Sequence, residues 1–524
     1  MKTTNFDSSI STSQLTAPDI VDQDLICALF NIKANDVKDI HCVCKPTSGD
    51  TSVFITLQPS YPECPSCGAP SPLIKDYYTR KINHSVLSNT KTRLYYKDRR
   101  YLCRHCHKTY FSQSPFVEDG FRHSVLTTKR ILEDLKDPNM TMAAVARRYH
   151  LSPTTVANVF DTHVNIGRNK LPKFLSIDEV YAFKSNKSKY VCVLLDYKNK
   201  VPVDLLPART YEELMRFFSA IPIEERENVK FFSTDMWETY RMVAKRYLPQ
   251  ATIIVDRFHL IQECNKRLDS IRLNIQKGFG RKTNEYYVLK KFHWLLFKND
   301  DILLDVNREK KYNRKLKQYL NYHDIKCLLQ DVHPELEVAI NLKDALCMYY
   351  DTIKLLEKSA VPYHEETVPK LKINADGKAT TRSKQSHLQA KKRNQKRIMS
   401  EVEALHELEE LISKFRECPL IEFSNFASTL NKWKHEIVNS LRVYSELNWK
   451  TMSNGLIEGR NKIIKNVKHT SNGYGNWRRF RNRLMFTLDK SSTYSLIADE
   501  SVVNRKRERN RHYYQNWIAK NEKS

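Results

Sequence analysis

Apolar residues alternate with polar ones, or run together, through the middle of the chain, and both patterns are typical of β-strands. The first three runs, such as KYVCVLLDY, follow one another closely, and later runs are separated by helical patterns. The predicted strands are 173–183, 189–197, 201–208, 229–235 and 251–256, and the predicted helices are 211–220 and 237–248. This order predicts a mixed five-stranded sheet with helices on its faces.

Residues 271–440 follow a different pattern, in which Lys, Glu, Leu and Tyr dominate and strand-like runs are missing. EVEALHELEELISKF (401–415) has helical periodicity, so we predict an all-α insertion that interrupts the sheet domain. Two basic runs, 374–397 within this insertion and NRKRERNRH (504–512) near the C-terminus, are either DNA contacts or solvated surface.

Upstream of the strands, TMAAVARRYHLSPTTVANVF (141–160) has the pattern of two short helices joined by a turn. Thr141 and Ser152 are suited to capping the two helices, and Pro153 to the first position of the second. The pattern predicts a helix-turn-helix, with an ordinary helical hairpin as the alternative. In a helix-turn-helix the second helix would face the major groove with three outward residues, Thr154, Thr155 and Asn158.

Four cysteines form two Cys-x-x-Cys pairs, which can close a tetrahedral thiolate site around zinc. The pairs are Cys64 with Cys67 and Cys103 with Cys106. We predict a structural Zn²⁺ site in a zinc-ribbon-like module, with a long hairpin or a small subdomain between the pairs. The alternative is four cysteines that are buried in a core or merely incidental. Cys42 and Cys44 are interpreted as strand residues, with extra metal ligands as the other possibility.

Composition indicates a folded protein of several domains with an anionic partner. The 524 residues are 41% hydrophobic and 10% aromatic, and the formal charge is +27, which favours nucleic acid binding. No apolar run approaches the roughly 20 residues of a membrane span, so no membrane partner is expected. The polar N-terminus predicts a cytoplasmic protein, in which the 12 cysteines would not form disulfides, and DNA binding would associate it with the nucleoid.

Two aspartates stand out within the apolar strands. Asp178 lies inside the first predicted strand, and Asp235 ends the fourth. A buried carboxylate is costly unless it is paired or bound to a cation, and Mg²⁺ prefers carboxylate oxygens. A third carboxylate from a helix would complete a two-metal site for phosphoryl transfer, and Glu458 in NGLIEGRNKIIK (454–465) is the candidate.

The helical pattern around Glu458 allows two interpretations. The apolar residues Leu456, Ile457, Ile463, Ile464 and Val467 share one arc, while Glu458 falls on the polar side with Asn461, Lys462 and Lys465. Glu458 is therefore either a surface salt-bridge partner of Lys462 or a carboxylate that faces a cleft.

Three segments resemble the catalytic blocks of insertion-sequence transposases of the ISL3 kind: LSIDEVYAFK, FFSTDMWETYRMVAKRYLPQATIIVDRFHLIQ and NGLIEGRNKIIKNVKHTSNGYGNWRRFRNRLMF. The resemblance implies a ribonuclease-H-like catalytic fold with an Asp-Asp-Glu triad at Asp178, Asp235 and Glu458. It also implies terminal-inverted-repeat DNA as substrate, with strand cleavage and strand transfer as the reaction. DRFH resembles an Asp-x-x-His element, here Asp256 and His259, although Asp256 could instead simply cap the next helix.

The patterns and the resemblance together predict a multidomain chain in which an α/β ribonuclease-H-like domain is interrupted by the insertion. The predicted parts are an N-terminal segment (1–59), a zinc-binding module (60–118), a helix-turn-helix domain (122–168), the first part of the catalytic domain (172–270), the helical insertion (271–440), the last part of the catalytic domain (441–490) and a basic tail (491–524).

The expected mechanism is in-line displacement at two Mg²⁺ ions, for which Mn²⁺ can substitute. Asp178 and Asp235 would hold one ion, and Asp178 and Glu458 the other. Five cationic residues, Arg460, Lys462, Lys465, Arg478 and Arg481, are predicted to contact DNA phosphates. Transposition joins two ends to a target duplex, so a homodimer or higher oligomer on double-stranded DNA is expected. The alternatives are a non-catalytic DNA-binding regulator and a nuclease without strand transfer.

Overall fold

The computed structural model describes residues 28–85, 91–118, 121–184, 188–298, 303–357 and 397–496. The basic segment at 374–397 lies outside these residues except for Arg397, and the run at 504–512 lies wholly outside them. The described residues form two compact units. One comprises those up to Gly167 and those from Ile463 onward, and the other comprises Arg168–Lys462.

The first unit begins with a five-stranded sheet of order β1-β2-β4-β3, in which β5 pairs with β4. Its strands are β1 (Val37–Cys44), β2 (Thr51–Leu57), β3 (Leu73–Asn83), β4 (Thr92–Leu102) and β5 (Thr109–Phe111). β3 and β4 are antiparallel along their length, with Leu73 opposite Leu102. The segment between the cysteine pairs is therefore a long antiparallel strand pair, as one of the two alternatives predicted.

Three helices follow in the same unit: α1 (Val125–Asp134), α2 (Met142–Arg148) and α3 (Pro153–His163). The predicted caps are present, because Thr141 Oγ1 accepts from the Ala144 N–H at 3.0 Å and Ser152 Oγ accepts from the Thr155 N–H at 3.0 Å. Burial of the apolar face against α1 closes a small core. The predicted pair of short helices is confirmed.

The second unit contains a mixed five-stranded sheet of order β10-β9-β6-β7-β8. Its strands are β6 (Phe174–Tyr181), β7 (Tyr190–Asp196), β8 (Val201–Leu206), β9 (Phe231–Thr234) and β10 (Thr252–Val255). β6, β7 and β8 are antiparallel neighbours, whereas β9 runs parallel to both β6 and β10. All five strands lie within the predicted ranges, and the mixed sheet is confirmed.

Helices cover one face of this sheet. They are α4 (Tyr211–Ser219) and α6 (Glu238–Tyr247), and the short helix α5 (Ile223–Glu227) lies between them in the chain and has no buried residue. Leu214 and Phe218 of α4 and Tyr240 of α6 are fully buried against strand residues such as Phe232. This packing fixes which side chains of β6 and β9 remain for the opposite face, because successive strand residues point to opposite faces.

Between residues 271 and 440 the structure is mainly helical, with its own large hydrophobic core. The helices from the end of the sheet onward are α7 (Arg257–Lys277), α8 (Asn284–Lys291), α9 (Tyr322–Asp331), α10 (Pro334–Thr352), α11 (Glu401–Glu417), α12 (Ile421–Lys432) and α13 (Lys434–Asn439). The same region also contains the short strands β11 (Lys311–Asn313), β12 (Gln318–Leu320), β13 (Ile353–Leu356) and β14 (Arg397–Ile398). The prediction of a purely α-helical insertion is wrong at these strands, because runs of two to four residues show no recognisable period.

The last described elements are β15 (Arg442–Tyr444), β16 (Lys450–Thr451), α14 (Gly455–Thr470) and α15 (Trp477–Leu488). Ile457, Ile464 and Val467 of α14 are buried, which confirms the main part of the predicted apolar arc. The segment predicted as the last part of the catalytic domain, 441–490, is divided between the two units after Lys462. Among the described residues, no helix is long and apolar enough to cross a membrane.

Candidate functional site

The four predicted cysteine ligands come together where β4 ends and β3 begins. Their sulfur atoms all lie within 4.8 Å of one another, with Cys64 Sγ 3.6 Å from Cys106 Sγ and Cys67 Sγ 3.6 Å from Cys103 Sγ. Four thiolates at tetrahedral spacing are the ligand set that structural zinc prefers. The side chains present therefore fit Zn²⁺.

Both halves of the zinc site have the same local turn. The Gly68 N–H donates to Cys64 O at 2.8 Å, and the His107 N–H donates to Cys103 O at 3.1 Å. Gly68 and His107 have φ values of +69° and +55°, the left-handed conformation that a glycine adopts without strain. Cys42 and Cys44 lie exposed on β1, as predicted for strand residues, and belong to no metal-binding cluster within the described ranges.

The second site is built on the carboxyl ends of β6 and β9. Ser176 of β6 lies opposite Ser233 of β9 in a parallel pair, and Asp178 and Asp235 each come two residues later. Because paired strands lie about 4.8 Å apart, this register carries the two carboxylates side by side on one face. The structure therefore brings together the two aspartates that stood out in the sequence.

Asp256 and His259 join this cluster. Thr234 lies opposite Val255 in the parallel pair of β9 and β10, so that Asp256 follows at the level of Asp235. The Asp256 carboxylate accepts from the Asn454 backbone N–H at 3.1 Å, and the backbone N–H groups of Phe258 and His259 at the start of α7 also lower its pKa. A simple capping role for Asp256 therefore does not account for its contacts.

Burial dominates the electrostatics of the cluster. It raises the pKa of Asp178 to about 7, and it also raises the pKa of Asp235 and of Asp256. The positive charge of a protonated His259 ring would oppose the rise of all three pKa values. Such a group of buried acids is costly as anions unless a cation joins it.

Helix α14 lies over the same face through two asparagines that the sequence did not single out for the site. The Asn461 side-chain amide donates to Asp178 Oδ2 at 2.8 Å, and Ser233 Oγ donates to Asn454 Oδ1 at 3.0 Å. Both asparagines are buried. Asn461 therefore orients the Asp178 carboxylate and is not part of the polar outer surface of the helix.

Glu458 lies between these two contacts, four residues after Asn454 and three before Asn461. Residues with this spacing share one face of a helix, so Glu458 is on the face that meets the sheet. It is half-buried, and within the described part of the chain no ion pair joins it to Lys462. The salt-bridge interpretation of Glu458 is not supported.

Several buried polar atoms around the carboxylates have no hydrogen-bond partner among the residues that the structure describes. They are Ser176 Oγ, Asp256 Oδ2, His259 Nε2, Asn454 Nδ2 and Asn461 Oδ1. Buried polar atoms are normally hydrogen-bonded, so this concentration fits a site built for a hydrated cation. Asp178, Asp235 and Glu458 themselves do not approach to metal-ligand spacing, since only the four cysteines do so among the residues described.

The residues predicted to contact DNA differ in their exposure and in their hydrogen-bond partners. Thr154 is exposed on α3, where Thr155 and Asn158 are half-buried, and Lys462 and Lys465 are exposed on α14. Two of the arginines donate to backbone carbonyls of their own unit, Arg460 to Lys200 O at 2.6 Å and Arg481 to Ile166 O at 2.8 Å. Arg478 is half-buried on α15.

The chain is similar to known transposases along most of its described length. A family model described as an ISL3 transposase of the DDE type matches residues 175–377 and 379–484. Models for the zinc finger of the IS204/IS1001/IS1096/IS1165 transposases and for the helix-turn-helix domain of transposase family ISL3 match residues 60–106 and 112–164.

One curated relative is the transposase for insertion sequence element IS1001 of Bordetella parapertussis, which is 22% identical over 245 residues. This match spans 46% of the present chain and 59% of the relative. The transposase model alone covers more than half of the chain, and the zinc-finger and helix-turn-helix models match ahead of it, in that order. The chain therefore belongs to the ISL3 family of transposases.

Proposed function

We propose that this transposase binds the terminal inverted repeats of its own element and catalyses metal-dependent strand cleavage and strand transfer at a ribonuclease-H-like site formed by Asp178, Asp235 and Glu458. The observation that carries the proposal is the shared register of Asp178 and Asp235 beneath the helix face that contains Glu458. Three antiparallel strands followed by two parallel ones support the proposed fold.

The chain's own residues prepare this site in three ways. Asp178 and Asp235 would hold one Mg²⁺ ion, and Asp178 and Glu458 the second, with Mn²⁺ as a substitute. When bound, the ions supply the positive charge that activates the attacking oxygen and stabilises the leaving oxygen. Asn461 holds Asp178 in one orientation, and burial of the acids favours binding of a cation over separate charged carboxylates.

Recognition of the element ends is assigned to the zinc module and the helix-turn-helix. Thr154, Thr155 and Asn158 on α3 would read bases of the element ends, and the cationic residues of α14 and α15 would contact phosphates. Joining two ends to a target duplex requires two end-binding surfaces, so we expect a dimer or higher oligomer on DNA. Asp256 and His259 are assigned an auxiliary role beside the triad.

The test is a strand-cleavage assay on duplexes that contain the ends of the element. The full-length protein should nick these ends only when Mg²⁺ or Mn²⁺ is present, and should then join the released 3′-OH to a target duplex. Binding without nicking would indicate a DNA-binding regulator. Nicking without joining would indicate a nuclease, and neither result is compatible with the proposal.

Asn461→Ala should lower the cleavage rate about 10- to 100-fold, because a residue that orients a metal ligand typically contributes this much. The Mg²⁺ concentration for half-maximal cleavage should rise as well, since Asp178 would lose the amide that positions it. Single-turnover cleavage over a Mg²⁺ titration measures both effects. Asn466→Ala, an exposed position on the same helix, is the matched control. An equal loss in both variants would show a general effect on α14.

Asp178→Asn should stabilise the protein at pH 8 in the presence of a chelator, by about 2 to 4 kcal/mol. Because the folded pKa of Asp178 is raised to about 7, its neutral form stabilises the fold at low pH, and that contribution is lost as pH rises through 7. The amide has no charge to desolvate, so the difference from wild type should grow between pH 5 and 8. Denaturant titrations at the two pH values measure it.

The exposed Asp331→Asn variant is the control and should show no such pH dependence. Added Mg²⁺ should stabilise the wild-type protein more than Asp178→Asn. If Asp178→Asn is less stable than wild type at pH 8, the Asp178 carboxylate is not destabilised by its burial, and the prediction is wrong.

A further inference from the structure

The β11–β12 hairpin in the mainly helical region concentrates positive charge. Residues 310–320, KKYNRKLKQYL, include five Lys or Arg and no acid. Lys310 pairs with Asp324 at 3.0 Å, and Lys315 donates to Lys282 O at 2.9 Å. Lys311 and Arg314 are exposed and have no ion-pair partner among the described residues. These two cations are therefore available to an anionic partner.

Two tyrosines stand side by side on the same hairpin. Tyr312 lies opposite Tyr319 in the antiparallel register, with ring centroids 5.1 Å apart and ring planes inclined by 52°. The two residues are 52% and 68% exposed. Exposed aromatic rings among cations are the combination on which unpaired bases stack, because every base has a π-face.

A cavity of about 530 Å³ lies beside the hairpin. Its lining includes three tyrosines and several cations, and Glu309 is the only acid among the lining residues. The aromatic and cationic lining residues include Tyr287, Tyr312, Tyr322, Lys291, Lys311 and Arg314. This volume falls within the range of small-molecule sites, so the cavity has room for a nucleotide-sized group.

Hydrogen bonds fix the walls of this cavity. The buried Asn321 side chain donates to Val306 O at 2.9 Å and to Arg308 O at 3.2 Å, which holds the segment before the hairpin against the start of α9. The Tyr287 hydroxyl donates to Asn313 Oδ1 at 3.4 Å and ties α8 to the hairpin. The site is therefore formed before any ligand arrives.

We propose that the β11–β12 hairpin and the adjoining cavity bind DNA whose bases are unpaired. Lys311 and Arg314 contact phosphates, and Tyr312 and Tyr319 stack on an exposed base. This inference rests on the proposed function, because strand cleavage and joining create DNA with exposed bases next to the ends. Neither the sheet domain nor the helix-turn-helix takes part in it.

The charge arm of the test compares two full-length double variants that each remove one Lys and one Arg. Lys311→Gln/Arg314→Gln should weaken binding of a labelled duplex with a single-stranded tail, and the slope of log affinity against log salt should fall by about 1.4 to 1.8, since two phosphate contacts are lost. Lys414→Gln/Arg416→Gln, exposed on α11, is the matched control and should leave the slope unchanged. Fluorescence anisotropy without divalent ions measures both.

The stacking arm compares the tailed duplex with a fully paired duplex of the same sequence. Tyr312→Ala/Tyr319→Ala should lower the affinity for the tailed DNA by about 5- to 150-fold, the usual effect of losing one stacked base. Affinity for the paired duplex should stay within about twofold of wild type, because no base face is exposed there. Tyr312→Phe/Tyr319→Phe keeps the rings and should retain tailed-DNA binding.

If Tyr312→Ala/Tyr319→Ala loses affinity equally for the tailed and the paired duplex, the substitution has disrupted the hairpin. The result for Tyr312→Phe/Tyr319→Phe then decides, because a Phe variant that binds the tailed duplex no better than the paired one overturns the proposal. A charge variant that behaves like its α11 control also overturns it. Failure of this proposal is distinct from failure of the proposed function. If only the hairpin proposal fails, the wild-type protein still cleaves element ends, while the hairpin variants bind tailed DNA as the wild type does.

Discussion

Replacing Glu458 with Gln is expected to lower the rate of DNA-end cleavage at least about 1,000-fold while leaving DNA binding within about twofold of wild type. Gln keeps the size of Glu but lacks the negative oxygen that a hard divalent cation requires. Asp178→Asn and Asp235→Asn should behave in the same way. Single-turnover cleavage of a labelled element end measures the rate, and anisotropy of the same DNA measures binding.

Glu410→Gln is the matched control, because it removes an exposed carboxylate from α11 in the same unit. It should cleave at the wild-type rate. Full cleavage by Glu458→Gln would remove Glu458 from the triad. Asp256 would then be the next candidate for the third ligand, since it follows β10 at the level of Asp235 and Asp256→Asn tests it directly.

The local patterns of the sequence were sufficient to place the strands that carry the two aspartates and the two helices of the helix-turn-helix. Alternation and apolar runs placed β6 and β9 within a few residues of their observed bounds, since these strands are buried on both faces. Thr141 and Ser152 marked the starts of α2 and α3 because a hydroxyl before a helix satisfies a free N–H.

The pairing between distant strands could not be read in the same way. That Ser176 lies opposite Ser233 depends on contacts between segments far apart in the chain, and nothing local to either strand sets it. The short strands of the insertion were missed for a related reason. β13 pairs with β15, and its residues Leu355 and Leu356 find their partners Arg442 and Val443 only in the folded chain.

The site itself was predicted in part. Asp178 is conspicuous because a charge within an apolar run is costly, whereas Asn461 on a polar helix face resembles an ordinary surface residue. Its spacing could have revealed it, because Asn454, Glu458 and Asn461 recur at the intervals of one helix face. That face meets the carboxylates, so a polar stripe on a helix is not always an outer surface.

Cys103→Ser is expected to abolish zinc binding and, with it, recognition of the element ends. Structural zinc contributes about 10 to 16 kcal/mol of apparent binding free energy in small zinc domains, and this energy supports folding of the domain. Cys103 is buried, and the Cys106 N–H donates to its sulfur at 3.4 Å, so serine would disrupt both the ligand set and the turn. Zinc content per chain and affinity for end DNA measure the two effects.

Cys42→Ser provides the control, because Cys42 is exposed on β1 and outside the four-cysteine cluster. It should keep one zinc per chain, and a loss of zinc would show that the exposed pair contributes ligands. The sheet that carries Asp178 belongs to the other compact unit. Stabilisation by Mg²⁺ should therefore persist in Cys103→Ser, and its loss would mean that the zinc module is needed to form the catalytic site as well as to choose the DNA.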